Sequence, residues 1–170
     1  MKCKNCKKRK LKKILDIGSQ PISSVYYKKK QHKLKSYSLN LYKCQACDLV
    51  QFSKLAPLDD MYGTTYGYRT SLSGYMVDHM KKKYNFLIKS KYLKNKSSIL
   101  DIGSNDGTFL NFFAKKEYKM NLFGIDPSSI KFKKFYSKKI NLVSDYFSKK
   151  KIDRHYLNQK FDLVTSFAMF

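Results

Sequence analysis

The chain has 170 residues, room for one ordinary domain or for a small one followed by part of a larger one. A net charge of +24 would ordinarily suggest nucleic acid. Yet only three of the 36 basic residues are arginine (Arg9, Arg69 and Arg154), the side chain best suited to phosphates and guanine edges, so no specific nucleic-acid partner is expected.

No apolar run approaches the ~18–20 residues that cross a membrane, and no apolar signal segment opens the chain. A cytoplasmic protein with no membrane partner is expected. The excesses of Lys, Asn, Ile, Phe and Tyr share AT-rich codons, so a genomic base bias accounts for much of the charge. The lysine runs at 28–30, 81–83 and 149–151 then read as solvated faces.

Residues 1–55 read as a cysteine module with short strands at 13–17, 37–42 and 49–52. All four cysteines fall in two pairs, Cys3-x-x-Cys6 and Cys44-x-x-Cys47. Two such knuckles bring four thiolates to tetrahedral corners, as a structural zinc site requires. The 37 intervening residues exceed the usual 15–20, but a surface loop carries a longer insertion at little cost. The alternatives are two disulfides or a redox dithiol. Disulfides need an oxidising compartment, and a thioredoxin-like motif explains one pair but not two. Lys2, Lys4, Lys7 and Lys43 would help keep thiolates deprotonated.

Pro57 and the Asp59–Asp60 pair mark a boundary, and residues 56–96 read as a linker. It opens with a tyrosine- and glycine-rich loop, Met61–Thr70, and continues as a helix with Met76, Met80, Tyr84 and Leu87 at helical spacing. Residues 97–170 alternate strand and helix. Strands are expected at 98–103, 121–126, 140–144 and 161–167, with helices near 107–117 and 128–138. That alternation is a parallel sheet with right-handed crossovers.

The turn in Leu100–Leu110, Leu-Asp-Ile-Gly-Ser-Asn-Asp-Gly-Thr-Phe-Leu, joins a buried strand to a helix. Gly103 and Gly107 let the backbone bend and approach a ligand, and the helix would offer unpaired N–H groups. Asp126, ending a second apolar strand, falls 23 residues after Gly103, near the offset of an acid that accepts from ribose hydroxyls. A dinucleotide fingerprint would need a glycine where Asn105 stands. A nucleoside cofactor without phosphates needs no such approach, which points to S-adenosylmethionine rather than NAD or FAD. An ordinary strand–turn–helix with a capping Asp is the plainer alternative.

Taken in order, these motifs resemble the N-terminal part of a sugar C-methyltransferase of the class I S-adenosylmethionine-dependent type, with an N-terminal zinc-binding domain. Cys3-x-x-Cys6, Asp16-Ile-Gly-Ser-Gln-Pro21 and Cys44-x-x-Cys47-Asp-Leu-Val-Gln51 follow the zinc module of that family. Tyr66-Gly-Tyr68-Arg69-Thr-Ser71, with Met76, Val77 and His79 after it, resembles its active-site linker. Leu100–Leu110 and Gly124-Ile-Asp126-Pro127 resemble its cofactor motifs, and Phe161–Phe167 its fourth strand. Asp48 departs from a common glycine, and Ala168 from a common asparagine.

The fold implied is α/β: a small zinc-ribbon-like module followed by an incomplete Rossmann-like methyltransferase sheet of four strands. The resemblance makes Cys3, Cys6, Cys44 and Cys47 structural zinc ligands. Asp101, Gly103, Ser104, Asn105, Asp106, Gly107, Asp126 and Pro127 would line the cofactor, with Asp145 and Tyr146 at its adenine. The implied substrate is a small molecule, a keto sugar on a nucleoside diphosphate. A base would remove the proton beside the ketone, and Tyr66 or Tyr68 would donate to the enolate oxygen as its carbon takes the methyl group. Packing at a domain junction is the plainer role for these tyrosines, and His32, His79 and His155 receive none. The apolar ending Ser166–Phe170 reads as a fragment, inactive alone, with the base beyond Phe170. Two other classes remain: a zinc-ribbon protein that binds or methylates nucleic acid, and a non-catalytic remnant.

Overall fold

The computed structural model describes residues 1–23, 25–27, 29–30, 33–63, 65–115 and 119–168. The expectations placed on His32, Met169 and Phe170 lie outside them, as do parts of the 28–30 lysine run, the tyrosine-rich loop and the 107–117 helix. The chain divides into two compact units, 1–67 and 68–170, so the 56–96 segment is shared between them.

The first unit is a three-stranded antiparallel sheet, β1 (Leu11–Pro21), β2 (Ser36–Cys44) and β3 (Val50–Phe52), in that order. Leu11 pairs with Cys44 and Lys43 with Val50, so one knuckle precedes β1 and the other forms the β2–β3 turn. A short helix, α1 (Leu58–Tyr62), follows. Only Cys3, Cys44 and Gln51 are buried among this unit's described residues. Apolar Ile14, Leu15 and Ile17 of β1 are each nearly half exposed. A unit with so little core needs another source of cohesion.

The second unit opens with a 3-10 turn at Thr70–Leu72 and α2 (Gly74–Lys89), whose Ser73 cap accepts from Met76 N–H. Then follow β4 (Ser98–Ile102), α3 (Thr108–Ala114), β5 (Asn121–Ile125), α4 (Ser129–Phe132) with a 3-10 turn to Phe135, β6 (Ile140–Val143), α5 (Lys149–His155) and β7 (Leu163–Ser166). All four strands are parallel, in the order β6-β5-β4-β7. Central β4 is buried along its whole length, as parallel strands covered on both faces are.

Alternation along β4 divides the core. Ile99 faces Met80, Tyr84, Phe109, Leu110 and Phe113 on the α2–α3 side, while Leu100 and Ile102 face Phe123, Ile125 and Tyr156 on the other. The helix expected over 128–138 breaks into a single α turn and a 3-10 turn, and helix α5 was not expected at all. Lysines dominate α5, and its N-cap Ser148, accepting from Lys151 N–H, is the one local signal for it. Among the described residues no helix is long and apolar enough to cross a membrane.

Candidate cofactor and metal sites

Strand order reverses around β4, since β5 and β6 build to one side and β7 to the other. The turn 103–107 leaves the carboxyl end of β4, where open α/β sheets bind ligands. Gly103, Asn105 and Gly107 all have positive φ (74°, 49° and 74°). Asparagine tolerates this region better than most residues, and glycine without strain.

Every polar group of Asn105 is engaged. Its N–H donates to Asp126 Oδ2 (2.9 Å), and its C=O accepts from the Tyr136 hydroxyl (2.8 Å). Its side-chain Oδ1 accepts from Thr70 N–H (2.9 Å) and Oγ1 (3.2 Å), while Nδ2 donates to the Tyr68 carbonyl (3.1 Å). Asp106 is equally committed. Oδ2 accepts from Ser71 N–H (3.0 Å) and lies 3.8 Å from Arg69 Nε, and Oδ1 accepts from Thr108 Oγ1 (2.6 Å) and N–H (3.2 Å). The Arg69 guanidinium lies 4.3 Å from the Phe135 ring. These two side chains therefore fasten segment 68–71 to the turn, and Asp106 also takes the first amide of α3. What the turn offers a ligand is its backbone.

Asp126 is fixed from both sides. Oδ2 takes Asn105 N–H, and Oδ1 takes Ser128 N–H and Oγ, both at 2.6 Å. A carboxylate has about four acceptor sites, so about one remains on Oδ2. Asp101 is almost wholly buried, and Thr165 Oγ1 donates to it at 2.7 Å. Burial raises its carboxyl to about 7; Thr165 opposes this shift and the Asp126 charge adds to it. Asp101, Asp106 and Asp126 thus place three buried carboxylates around one turn. With Asp106 beside Arg69 and Asp101 raised toward neutrality, Asp126 is the carboxylate of the turn left to face a ligand, an arrangement that suits ribose hydroxyls better than pyrophosphate.

Pro127 lies between the Asp126 carboxylate and Ser128. Asp145 and Tyr146 follow β6, at the same edge of the sheet. Lys151 Nζ donates to Asp145, holding its carboxyl below the usual range, and lies 5.7 Å from the Tyr146 ring. Tyr66 belongs to the first unit, where its residue bridges Val25, and Tyr68 to the second, with its carbonyl on Asn105. Sequence reasoning missed Tyr136, Thr70, Thr165 and Ser128. Only Ser128 carried a local signal, because Asp-Pro-Ser is a turn sequence.

In the first unit the two knuckles repeat one backbone pattern. Cys3 N–H donates to Lys8 O (2.9 Å) and Lys7 N–H to Cys3 O (3.1 Å); Cys44 N–H donates to Leu49 O and Asp48 N–H to Cys44 O, both at 2.9 Å. Lys7 and Asp48 accordingly share positive φ, 61° and 58°, which explains why glycine suits position 48. The four Sγ atoms lie within 4.8 Å of one another, with Cys3–Cys47 and Cys6–Cys44 at 3.6 Å and all four thiols free. Tetrahedral zinc with Zn–S near 2.3 Å sets sulfurs about 3.8 Å apart, so the cage fits.

The Leu49 amide draws the Cys47 thiol down to about 6. At Cys6 the Lys8 amide pulls downward, but burial and the other thiols outweigh it and leave about 11. Four sulfurs so close ionise together only around a cation. Gln51 braces the cage: its Oε1 accepts from Lys4 N–H (2.8 Å) and its Nε2 donates to Lys2 O (3.4 Å).

Two family models match the chain. One described as "Putative zinc binding domain" covers residues 3–62, and one described as "Methyltransferase domain" covers residues 73–170. No curated protein matches it.

Proposed function

Because the chain belongs to the methyltransferase-domain family, we propose that it is S-adenosylmethionine-dependent and that its acceptor is a carbon of a nucleotide-linked keto sugar. The observation that carries the cofactor is the left-handed turn 103–107 with Asp126 against it and two further buried acidic residues, Asp101 and Asp106, beside it. The cofactor, when bound, supplies an electrophilic methyl group on a cationic sulfur. The backbone of Gly103–Gly107 would hold its methionine and ribose, and the remaining acceptor site of Asp126 would take a ribose hydroxyl. Asp145 and Tyr146 would meet its adenine, and Lys151 holds the Asp145 carboxylate in place.

The acceptor assignment rests on the sequence resemblance. Carbon becomes nucleophilic when a proton beside the ketone is removed, and charge then gathers on the oxygen. The Tyr68 hydroxyl, in the same unit as the turn, is the donor we assign to that oxygen. The four thiolates hold zinc as a structural ion, since four protein ligands leave no open position for substrate.

Calorimetric titration of the full chain with S-adenosylmethionine should show saturable binding that Asp126→Ala reduces at least tenfold. Undiminished binding in that variant overturns the cofactor assignment. For the acceptor, transfer of a 13C-labelled methyl to a nucleotide keto sugar, assayed with the complete product of the gene, should give the carbon shift of a C-methyl group. An O-methyl shift rejects carbon as the acceptor atom.

A further inference from the structure

Tyr136 follows α4, some 30 residues beyond the turn, yet it touches three of the turn's five residues. Its single phenolic proton goes to the Asn105 carbonyl (2.8 Å), because a carbonyl cannot donate. The Ser104 hydroxyl, 2.9 Å away, then donates to the Tyr136 oxygen. Its ring fills the space beneath Gly107, where an added Cβ would sit 2.7 Å from a ring carbon. We propose that Tyr136 is a positioning residue that holds the cofactor turn in its left-handed form before ligand arrives, an inference that rests on the S-adenosylmethionine reading above.

The turn needs such a brace. Asn105 stands at φ 49°, a region that asparagine tolerates but that is not its preferred one, so the conformation rests on what holds it. Its N–H and side chain are held by Asp126 and by segment 68–71, so its carbonyl is the remaining group that sets the orientation of the 105–106 peptide. Without the phenol, that carbonyl and the Ser104 hydroxyl both lose a partner. The peptide can then rotate, moving the backbone on which a ligand would lie. Burial pushes the Tyr136 phenol upward, so it stays a neutral donor throughout the physiological range.

The fold supplies a matched contrast. Tyr156 is also a tyrosine whose hydroxyl donates to backbone carbonyls, those of Gly124 (2.8 Å) and Asn141 (3.0 Å). It belongs to the core cluster on the other face of the sheet from Met80 and Phe113. A purely structural role predicts the same outcome for both phenols; a turn brace separates them.

Two readouts on the full chain test this. Amide hydrogen exchange at Asn105 and Gly107, without ligand, should accelerate about tenfold or more in Tyr136→Phe, and affinity for S-adenosylmethionine should fall by a similar factor. Tyr156→Phe should lower the unfolding temperature while leaving both readouts within about twofold of the parent. Parent-like exchange and affinity in Tyr136→Phe overturn the proposal, as does an equal loss of affinity in Tyr156→Phe. Should Tyr136→Phe fail to fold, Ser104→Ala removes one of the two bonds, and unchanged exchange and affinity there overturn it too. If the exchange contrast appears but the parent chain binds no S-adenosylmethionine, the brace stands and the cofactor reading falls.

Discussion

The two units solve the same problem with different forces. Residues 68–170 bury apolar clusters on both faces of a parallel sheet. In residues 1–67 only three of the described side chains are buried, two of them cysteines. The second unit is held by removing apolar surface from water; the first, by gathering four thiols in one place. Both use left-handed residues in tight turns, but toward different ends. At Lys7 and Asp48 the turn aims sulfur inward, whereas at Gly103, Asn105 and Gly107 it bares backbone at the end of a strand.

The largest predicted effect breaks the first unit alone. Cys44→Ser should abolish stoichiometric zinc and with it folding free energy of about 10–16 kcal/mol on the apparent scale of structural zinc sites. In nuclear magnetic resonance spectra the signals of residues 1–67 should collapse while those of 68–170 stay dispersed. A first unit that stays folded without metal would end the comparison.

The reciprocal change is Phe113→Ala, which opens a cavity among Tyr84, Phe109 and Ile99. It should cost about 3–5 kcal/mol in urea unfolding of the second unit and leave zinc affinity unchanged.

Acidity should separate the units as well. In the unfolded chain Asp101 ionises near its ordinary value of 3.8, but in the fold it keeps its proton until about 7. Unfolded chains therefore bind fewer protons in that window, so stability falls as pH rises from 4 to 7 and then levels. At about 1.4 kcal/mol per unit the loss reaches about 4 kcal/mol at most. Asp101→Asn, which cannot titrate and still accepts from Thr165, should flatten the second unit's curve; an unchanged slope removes Asp101 as the cause.

Smaller effects sharpen the contrast between the turns. Gly107→Ala puts a methyl group at φ 74° against the Tyr136 ring, and should cost about 1–2 kcal/mol of stability and weaken cofactor binding. Ala168 stands at φ 56°, where asparagine is better tolerated, so Ala168→Asn should raise stability by about 1 kcal/mol or less in thermal unfolding.

Much of this was legible in the chain. Paired cysteines announce a cage because a knuckle is a local turn, completed within six residues. An apolar run ending in Asp-Ile-Gly and another ending in Ile-Asp-Pro announce parallel strands and a glycine-bent turn at their carboxyl ends, since both signals lie within one strand and its exit. The resemblance also marks Asn105 and Asp106 as lining the cofactor, but the sequence does not say which of their groups are already engaged. Their side-chain partners, Tyr68, Thr70 and Ser71, lie some 35 residues away, and no period or spacing reports them.

The sequence by itself determined which chemistry each turn can carry: soft sulfur donors in one, glycine backbone and carboxylate in the other. Tertiary structure decided which groups remain available for it. Only the packing of α3 beside the α4–β6 segment brings Tyr136 beneath Gly107, and only the return of segment 68–71 over the turn consumes the Asn105 amide and the Asp106 carboxylate. Hydrogen bonds saturate, so a side chain's function depends on what has already claimed it, and that is settled by neighbours distant in the chain.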